Sequence, residues 1–114
     1  MALLLLLALL ALGAADDALN LSRYLSSPNV GRNLSRVALP APFVALQSFS
    51  GLFEISPGRF TFFWFFPHPD PAAPTMTWLQ GGPGASSLFG LFSEHGPFSV
   101  SPDGQLVPRA TACA

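Results

Sequence analysis

The segment Phe60 to Phe66, FTFFWFF, most constrains what this 114-residue chain can fold into. It follows FSGLFEI and Pro57-Gly58, a pair that suits the centre of a type II turn, so the sequence predicts a β-hairpin. Aromatic residues fall on both faces of its second strand: Phe60, Phe62, Trp64 and Phe66 on one, Phe63 and Phe65 on the other. We therefore expect this strand to be covered on both sides.

The residues after the hairpin predict a third strand, a glycine loop and a helix. PHPDPAAP, from Pro67 to Pro74, breaks the chain, and TMTWLQ over 75–80 predicts the strand. Gly-Gly-Pro-Gly follows, and Ser86 or Ser87 is the predicted helix N-cap. The stop signal His95-Gly96-Pro97 is expected to end the helix.

A short strand, turn and strand are predicted after that helix, around Asp103-Gly104. One short helix cannot cover both faces of an aromatic sheet, and a domain of this size buries only about two-thirds of its surface. The strands therefore predict a larger sheet with helices on both sides. We interpret the chain as the first part of an α/β domain, with an incomplete sheet.

The first 47 residues are expected to lie outside that sheet. Ala2 to Leu12 is an apolar run, and small residues follow it. Such a run is typical of a secretory signal peptide and is too short to span a bilayer, which takes about 20 residues. We predict a signal peptide over 1–15, an extended, propeptide-like leader over 16–47, where Ser, Asn and Pro are frequent, and the domain over 48–114.

In a secreted protein, asparagines can be glycosylated and cysteines can form disulfides. Asn20-Leu21-Ser22 and Asn33-Leu34-Ser35 fit the N-glycosylation pattern and predict exposed loops if they are used. Cys113 has no partner within the chain for a disulfide.

Charge excludes two classes of partner. Only 10% of the residues are charged, against about 25% in an ordinary domain, and the net charge is −1. Arg23, Arg32 and Arg36 lie near one another, but tracking of phosphates needs a denser patch. We expect no nucleic-acid partner and no membrane association after removal of the signal peptide.

Three kinds of site can be weighed at GGPGASS. A nucleophilic serine elbow needs G-x-S-x-G, and Leu88 stands where the last glycine belongs. A dinucleotide loop would need glycine in place of Ser87, and the chain has no P-loop lysine. The candidate metal ligands show no zinc spacing: His68, Asp70, Glu94 and His95. The sequence predicts no catalytic serine here, no metal and no cofactor.

The backbone of this loop leaves two interpretations open. A glycine-rich turn between a strand and a helix leaves N–H groups unpaired and lets a substrate carbonyl approach closely, as an oxyanion hole requires. The same residues also suit a tight turn without chemistry.

WLQGGPGASSLFGLFSEHGPF resembles the serine carboxypeptidases, the α/β-hydrolase peptidases that remove C-terminal residues, and in particular the vitellogenic-like carboxypeptidases. FFWFF, WLQGGPG, SSLFGLF and EHGP occur there in the same order and with similar spacing. FSGLFEI resembles the first strand of that family, and the resemblance covers about Phe43 to Arg109. It implies the N-terminal portion of an α/β-hydrolase fold.

The resemblance also implies roles by matching position. Gly82 would offer its backbone N–H as half of an oxyanion hole. A second group matches the network that binds the terminal carboxylate of a peptide or protein substrate: Trp78, Gln80, Gly81 and Glu94. A carboxyl group donates a hydrogen bond to a carboxylate only when it is protonated, so binding is expected to favour acidic pH, as suits a secreted or lysosomal enzyme.

The family's nucleophilic serine, aspartate and histidine lie downstream of the matched region, and none is present here. We therefore interpret the chain as an N-terminal fragment of a serine carboxypeptidase that is inactive alone. The alternative is a non-catalytic secreted binding or decoy protein derived from the family. A small anion-binding domain unrelated to peptidases is a third hypothesis.

Overall fold

A computed structural model describes residues 18–109, so the predicted signal peptide and Cys113 lie outside the described residues. These residues form two compact units. The first comprises 18–38 and 47–65, and the second comprises 39–46 and 66–109. Within the described range, no helix has the length and apolarity needed to cross a membrane.

The predicted hairpin is confirmed in the first unit. Strand β1 (Phe49–Ser56) pairs antiparallel with strand β2 (Arg59–Phe65). Pro57 and Gly58 connect them, and Gly58 has φ of +70°, a conformation that glycine adopts without steric cost. The Gly58 N–H also donates to Glu54 Oε1 at 3.1 Å, which ties the turn to β1.

The expectation that β2 is covered on both faces is wrong for the described residues. Phe60 and Phe62 are 45% and 52% exposed on one face, and Phe65 is 40% exposed on the other. On that second face, Phe53 and Phe63 stack across the strands with ring centroids 5.3 Å apart. A two-stranded ribbon has too few neighbours to bury aromatic residues on both faces, and nothing in this unit supplies a second layer.

Part of the segment predicted to be irregular over 16–47 is helical, while residues 35–47 contain no helix or strand. A 3₁₀ helix spans Leu21–Tyr24, and helix α1 spans Pro28–Leu34. Asn and Pro residues, whose frequency favoured an irregular segment, start these helices instead. Asn20 Oδ1 accepts a hydrogen bond from Ser22 N–H at 3.0 Å, and Pro28 occupies the first turn, where its missing N–H costs nothing.

The N-terminal segment 18–38 covers the edge of β1 that faces away from β2. Alternate N–H groups of β1 donate to it: Ser50 to Ser35 O at 2.8 Å, Leu52 to Leu19 O at 2.9 Å, and Glu54 to Ser22 Oγ at 2.8 Å. Leu21 is buried against Gly51, where an added Cβ would lie 2.8 Å from Leu21 Cδ1. The segment thus satisfies an edge that would otherwise be open to pairing with another chain.

The second unit packs around one aromatic side chain. It contains helix α2 (Leu88–Ser93) and a hairpin of β3 (Phe98–Val100) with β4 (Leu106–Pro108), which confirms the strand pair predicted around Asp103-Gly104. Phe98 is 1% exposed, and its ring lies 5.4 to 5.7 Å, centroid to centroid, from Phe43, Phe66 and Phe92.

Arg109 ties the hairpin to the end of helix α2. Its Nη2 donates to Phe92 O at 2.9 Å and to Phe98 O at 3.3 Å, and its Nε donates to Gly96 O at 3.0 Å. Hydrogen bonds from a charged donor are stronger than neutral ones. The guanidinium therefore fixes α2 and the residues that the helix carries.

The predicted third strand over 75–80 is wrong in the described part of the chain. Residues 75–80 form no strand there, and Met76 and Leu79 are 63% and 79% exposed. Backbone N–H and C=O groups need a neighbouring strand to form a ladder. The two sheets of the described residues contain two strands each, and neither includes this segment as a pairing partner.

Candidate functional site

The glycine loop holds its glycines in conformations that other residues avoid. Gly82 and Gly84 have φ of +100° and +95°. A Cβ built at Gly81 or Gly84 would meet no atom within 4 Å, so the loop is open to solvent on the side-chain side. Within residues 18–109 the Gly82 N–H donates no hydrogen bond. An unused N–H on an open glycine loop can donate to an approaching oxyanion.

Two serines lie between this loop and helix α2, and each accepts a hydrogen bond from a backbone N–H group. The helix begins at Leu88 with Ser87 in the N-cap position, as predicted, but the Ser87 hydroxyl makes no capping bond. Instead Ser87 Oγ accepts from the Gln80 N–H at 3.1 Å, and Ser86 Oγ accepts from the Leu88 N–H at 3.3 Å. Both hydroxyls are therefore engaged with the backbone, and Ser87 fixes where Gln80 stands.

Trp78 and Gln80 bond to each other through their side chains. Trp78 Nε1–H donates to Gln80 Oε1 at 3.0 Å. The indole N–H can only donate, so the amide oxygen of Gln80 must be the atom that faces it. The amide nitrogen of Gln80 is consequently turned away with its two donors.

Gly90 is the point on helix α2 where Trp78 and Glu94 meet. An added Cβ at Gly90 would overlap Trp78 Nε1, would lie 2.7 Å from Trp78 Cδ1 and would lie 3.2 Å from Glu94 Oε2. Gly90 O also accepts the Glu94 N–H at 3.0 Å, so Glu94 stands at the C-cap. Only a residue without a side chain lets the indole lie this close to the helix backbone.

His95 also packs against the Trp78 indole. Its ring lies edge-on to Trp78 with centroids 4.2 Å apart, and its Nδ1 lies 3.9 Å from Glu94 Oε2. His95 Nε2 is buried and has no hydrogen-bond partner among residues 18–109. Trp78 is thus held between Gly90 and His95, with the Glu94 carboxyl group beside both.

The structure brings Trp78 and Glu94 together at Gly90, and Gln80 joins them through its hydrogen bond with Trp78. Gly81 and Gly82 follow directly in the chain. A Cβ on Gly81 would meet no atom within 4 Å, and the nearest atom to a Cβ on Gly82 is Ala85 Cβ at 4.0 Å, so neither glycine packs against that cluster. The sequence did not predict that Gly90 leaves room for the Trp78 indole against helix α2. A glycine inside a predicted helix was the signal for it, because such a glycine commonly has a packing reason.

The two predicted glycosylation acceptors differ in their surroundings. Asn20 is half-buried, caps the 3₁₀ helix and pairs with Leu52 in an isolated parallel bridge. Asn33 is exposed and lies in the last turn of α1 rather than in a loop. Among residues 18–109, no three His, Cys, Asp or Glu side chains are grouped to hold a metal ion.

Comparison with known proteins gives a consistent result. The family model for serine carboxypeptidases matches residues 39–112. The probable serine carboxypeptidase CPVL of Homo sapiens is 42% identical over 96 residues, covering 78% of this chain and 20% of that protein. The vitellogenic carboxypeptidase of Aedes aegypti is 44% identical over 73 residues, covering 60% of this chain and 15% of that protein.

A third relative extends the range of the comparison. The lysosomal protective protein of Mus musculus is 44% identical over 62 residues, covering 53% of this chain and 13% of that protein. The chain therefore spans a fifth or less of the length of these relatives. No solved structure matches it significantly. The matched residues include the glycine loop, Gly90 and Glu94, and the chain belongs to the serine carboxypeptidase family.

Proposed function

We propose that the chain supplies one half of a serine carboxypeptidase active site, the half that holds the substrate. Trp78, Gln80, Gly81 and Glu94 would bind the terminal carboxylate of a peptide or protein, and Gly82 would supply one oxyanion donor. The observation that carries this proposal is that Trp78 and Glu94 meet at Gly90 while Trp78 also donates a hydrogen bond to Gln80. Family membership supports peptides as the substrate class.

The orientation of Gln80 supports carboxylate binding. Because Trp78 holds the amide oxygen, the amide nitrogen is free to donate two hydrogen bonds. A carboxylate accepts such bonds on either oxygen. Glu94 would add a third donor when protonated, and the Gly81 N–H a fourth from the backbone. Hydrogen bonds to a charged group contribute about 1.5–3 kcal/mol each, so losing one donor at the lower end of that range would weaken binding about tenfold.

The position of Gly82 supports a role in acyl transfer. In that reaction a serine attacks the last peptide bond, and the carbonyl oxygen becomes an anion that backbone N–H groups stabilise. The Gly82 N–H is unused within the described residues, and the open loop admits a carbonyl. The attacking serine and its histidine and aspartate have no matching motif in these 114 residues.

We propose that the protein enters the secretory pathway and is secreted or lysosomal.

Binding of a terminal carboxylate can be measured directly on this chain. We expect a blocked dipeptide with a free carboxylate to shift the indole N–H resonance of Trp78 and the backbone amide resonances of Gln80 and Gly81 in NMR spectra at mildly acidic pH. The same dipeptide as its C-terminal amide should leave them in place, because it presents no anion. Gln80→Leu should weaken binding about tenfold. Equal shifts with both peptides would refute carboxylate recognition.

Hydrolysis by this chain alone is expected to be absent. Oxyanion stabilisation without a nucleophile cannot break the peptide bond at an enzymatic rate, because the acyl-enzyme step has no attacking group. The measurement is release of the C-terminal residue from a blocked dipeptide at mildly acidic pH. The control is Gly82→Val, which removes the loop geometry. Release above that control would show that the chain carries a nucleophile that its motifs do not reveal.

A further inference from the structure

A polar cavity on the first unit takes no part in the proposed peptidase site. Its volume is about 390 Å³. Six of the described residues line it: Asn29, Arg32, Asn33, Arg36, Gln47 and Phe49. These residues supply two guanidinium groups, three side-chain amides and one aromatic ring, and no acidic residue from the range 18–109 stands among them.

The local fold explains why these side chains meet. Asn29, Arg32 and Asn33 are spaced i, i+3 and i+4 on α1, which places them on one face of the helix. The chain then turns so that Arg36 pairs with Phe49 in an isolated antiparallel bridge, and Val37 N–H donates to Ser48 O at 2.9 Å. The cavity wall is thus built from backbone-paired elements.

Phe49 provides a rigid support for one of the two arginines. Its side chain is buried, and the Arg32 guanidinium lies 5.4 Å from its ring centroid. A guanidinium on an aromatic face is held in a cation–π contact that leaves its N–H edge free to donate. Arg32 is therefore oriented before any ligand arrives, which lowers the entropy cost of binding.

The charges in this cavity are not compensated within the described residues. No carboxylate among residues 18–109 lies within ion-pair distance of Arg32 or Arg36. Two like charges that share one cavity repel each other, and a bound anion removes that repulsion while it accepts their hydrogen bonds. The wall thus favours an oxyanion over a cation or an apolar molecule.

The size and the amides of the cavity define the rest of the ligand. Its volume corresponds to roughly a dozen water molecules, so an inorganic oxyanion would leave most of it filled with water. Asn29, Asn33 and Gln47 each offer both donors and an acceptor, which is what hydroxyl groups require. We propose that this cavity binds a small hydroxylated oxyanion, such as a sugar that carries a phosphate or a carboxylate group.

The experiment is a calorimetric titration of the full chain, produced in a host that attaches no N-linked glycan so that Asn33 stays unmodified. The probes are glucose 6-phosphate, glucuronate, glucose and inorganic phosphate. We expect saturable binding of at least one of the two hydroxylated anions, and weaker binding of glucose and of inorganic phosphate. The first two probes distinguish a phosphate from a carboxylate as the anionic group.

Variants test whether the cavity is the site. Arg32→Gln and Arg36→Gln should each weaken binding about tenfold, because each removes a charged donor. Arg32→Lys keeps the charge but loses the planar fork, so it should also bind more weakly. Arg59→Gln, an exposed arginine on β2 outside the cavity, is the matched control and should bind normally.

Other outcomes would overturn the proposal. An absence of binding by both hydroxylated anions, or an equal loss in Arg59→Gln, would mean that the cavity is not an anion site. Binding of inorganic phosphate as tight as that of glucose 6-phosphate would refute the role of the amides. Amide NMR spectra of each variant confirm that it is folded, and Arg32→Lys is the milder substitution if Arg32→Gln does not fold.

Discussion

Gly51→Val is expected to lift the N-terminal segment away from strand β1. A Cβ at this position would lie 2.8 Å from Leu21 Cδ1 and 3.0 Å from Leu21 Cγ. Leu21 is only 6% exposed, so it has little room to move. Overpacking of a filled site costs about 1–3 kcal/mol. If the overpacking costs about 2 kcal/mol, hydrogen exchange of the amides of Ser50, Leu52 and Glu54 should accelerate about thirtyfold, because the acceptors of these amides lie on that segment.

A compensating variant makes this prediction specific. Leu21→Ala alone should also destabilise the unit, because it removes a buried side chain. Combining it with Gly51→Val should cost less than the sum of the two, because the valine can occupy the vacated space. Hydrogen exchange of the single and double variants measures the coupling. Strict additivity would show that Leu21 and Gly51 do not share one packing site.

Gly90→Ala is expected to displace Trp78 while helix α2 remains intact. Alanine favours a helix over glycine by about 1 kcal/mol, so the substitution supports the helix itself. The new Cβ would overlap the indole at Nε1 and Cδ1, however. Trp78 is 46% exposed, so it can swing outward instead of straining the backbone. The hydrogen bond from Trp78 to Gln80 should break, and carboxylate binding should fall about tenfold.

The measurement is the indole N–H region of an NMR spectrum, which contains one resonance for each of the two tryptophans. Trp78→Phe identifies the resonance of Trp78. Gly81→Ala is the matched control for seating of the indole, because a Cβ there meets no atom within 4 Å and Gly81 has no positive φ. An indole resonance that stays unchanged in Gly90→Ala would mean that Trp78 does not rest on this helix.

Part of the fold was predictable because it depends on local chemistry. Pro57-Gly58 between two apolar runs predicted the first hairpin, and Asp103-Gly104 predicted the second. The start of α2 after Ser87 also followed from local residues. The predictions that failed depend on tertiary neighbours, that is, on which strand pairs with a segment or which layer covers it. The strand predicted over 75–80 has no pairing neighbour among the described residues, and the aromatic residues of β2 remain exposed.

The candidate site also has a part that the sequence predicted and a part that it did not. Trp78, Gln80, Gly81, Gly82 and Glu94 could be named from a linear motif, because the motif preserves their order and spacing. The motif did not predict that Ser87 would bond to Gln80 instead of capping the helix. Nor did the scatter of arginines along 23–36 predict a cavity, because that cavity needs Phe49 from a distant strand.

The sequence by itself determined the family and the turns, and it named the residues proposed to hold a carboxylate, because these depend on residue types at fixed spacings. The tertiary structure alone decided that the N-terminal segment covers the edge of β1, that Gly90 accommodates the Trp78 indole, and that two arginines with no carboxylate partner among residues 18–109 share one cavity. Each of these depends on which surfaces meet. Contacts between residues far apart in the chain are set by packing of complementary shapes, which no local spacing encodes.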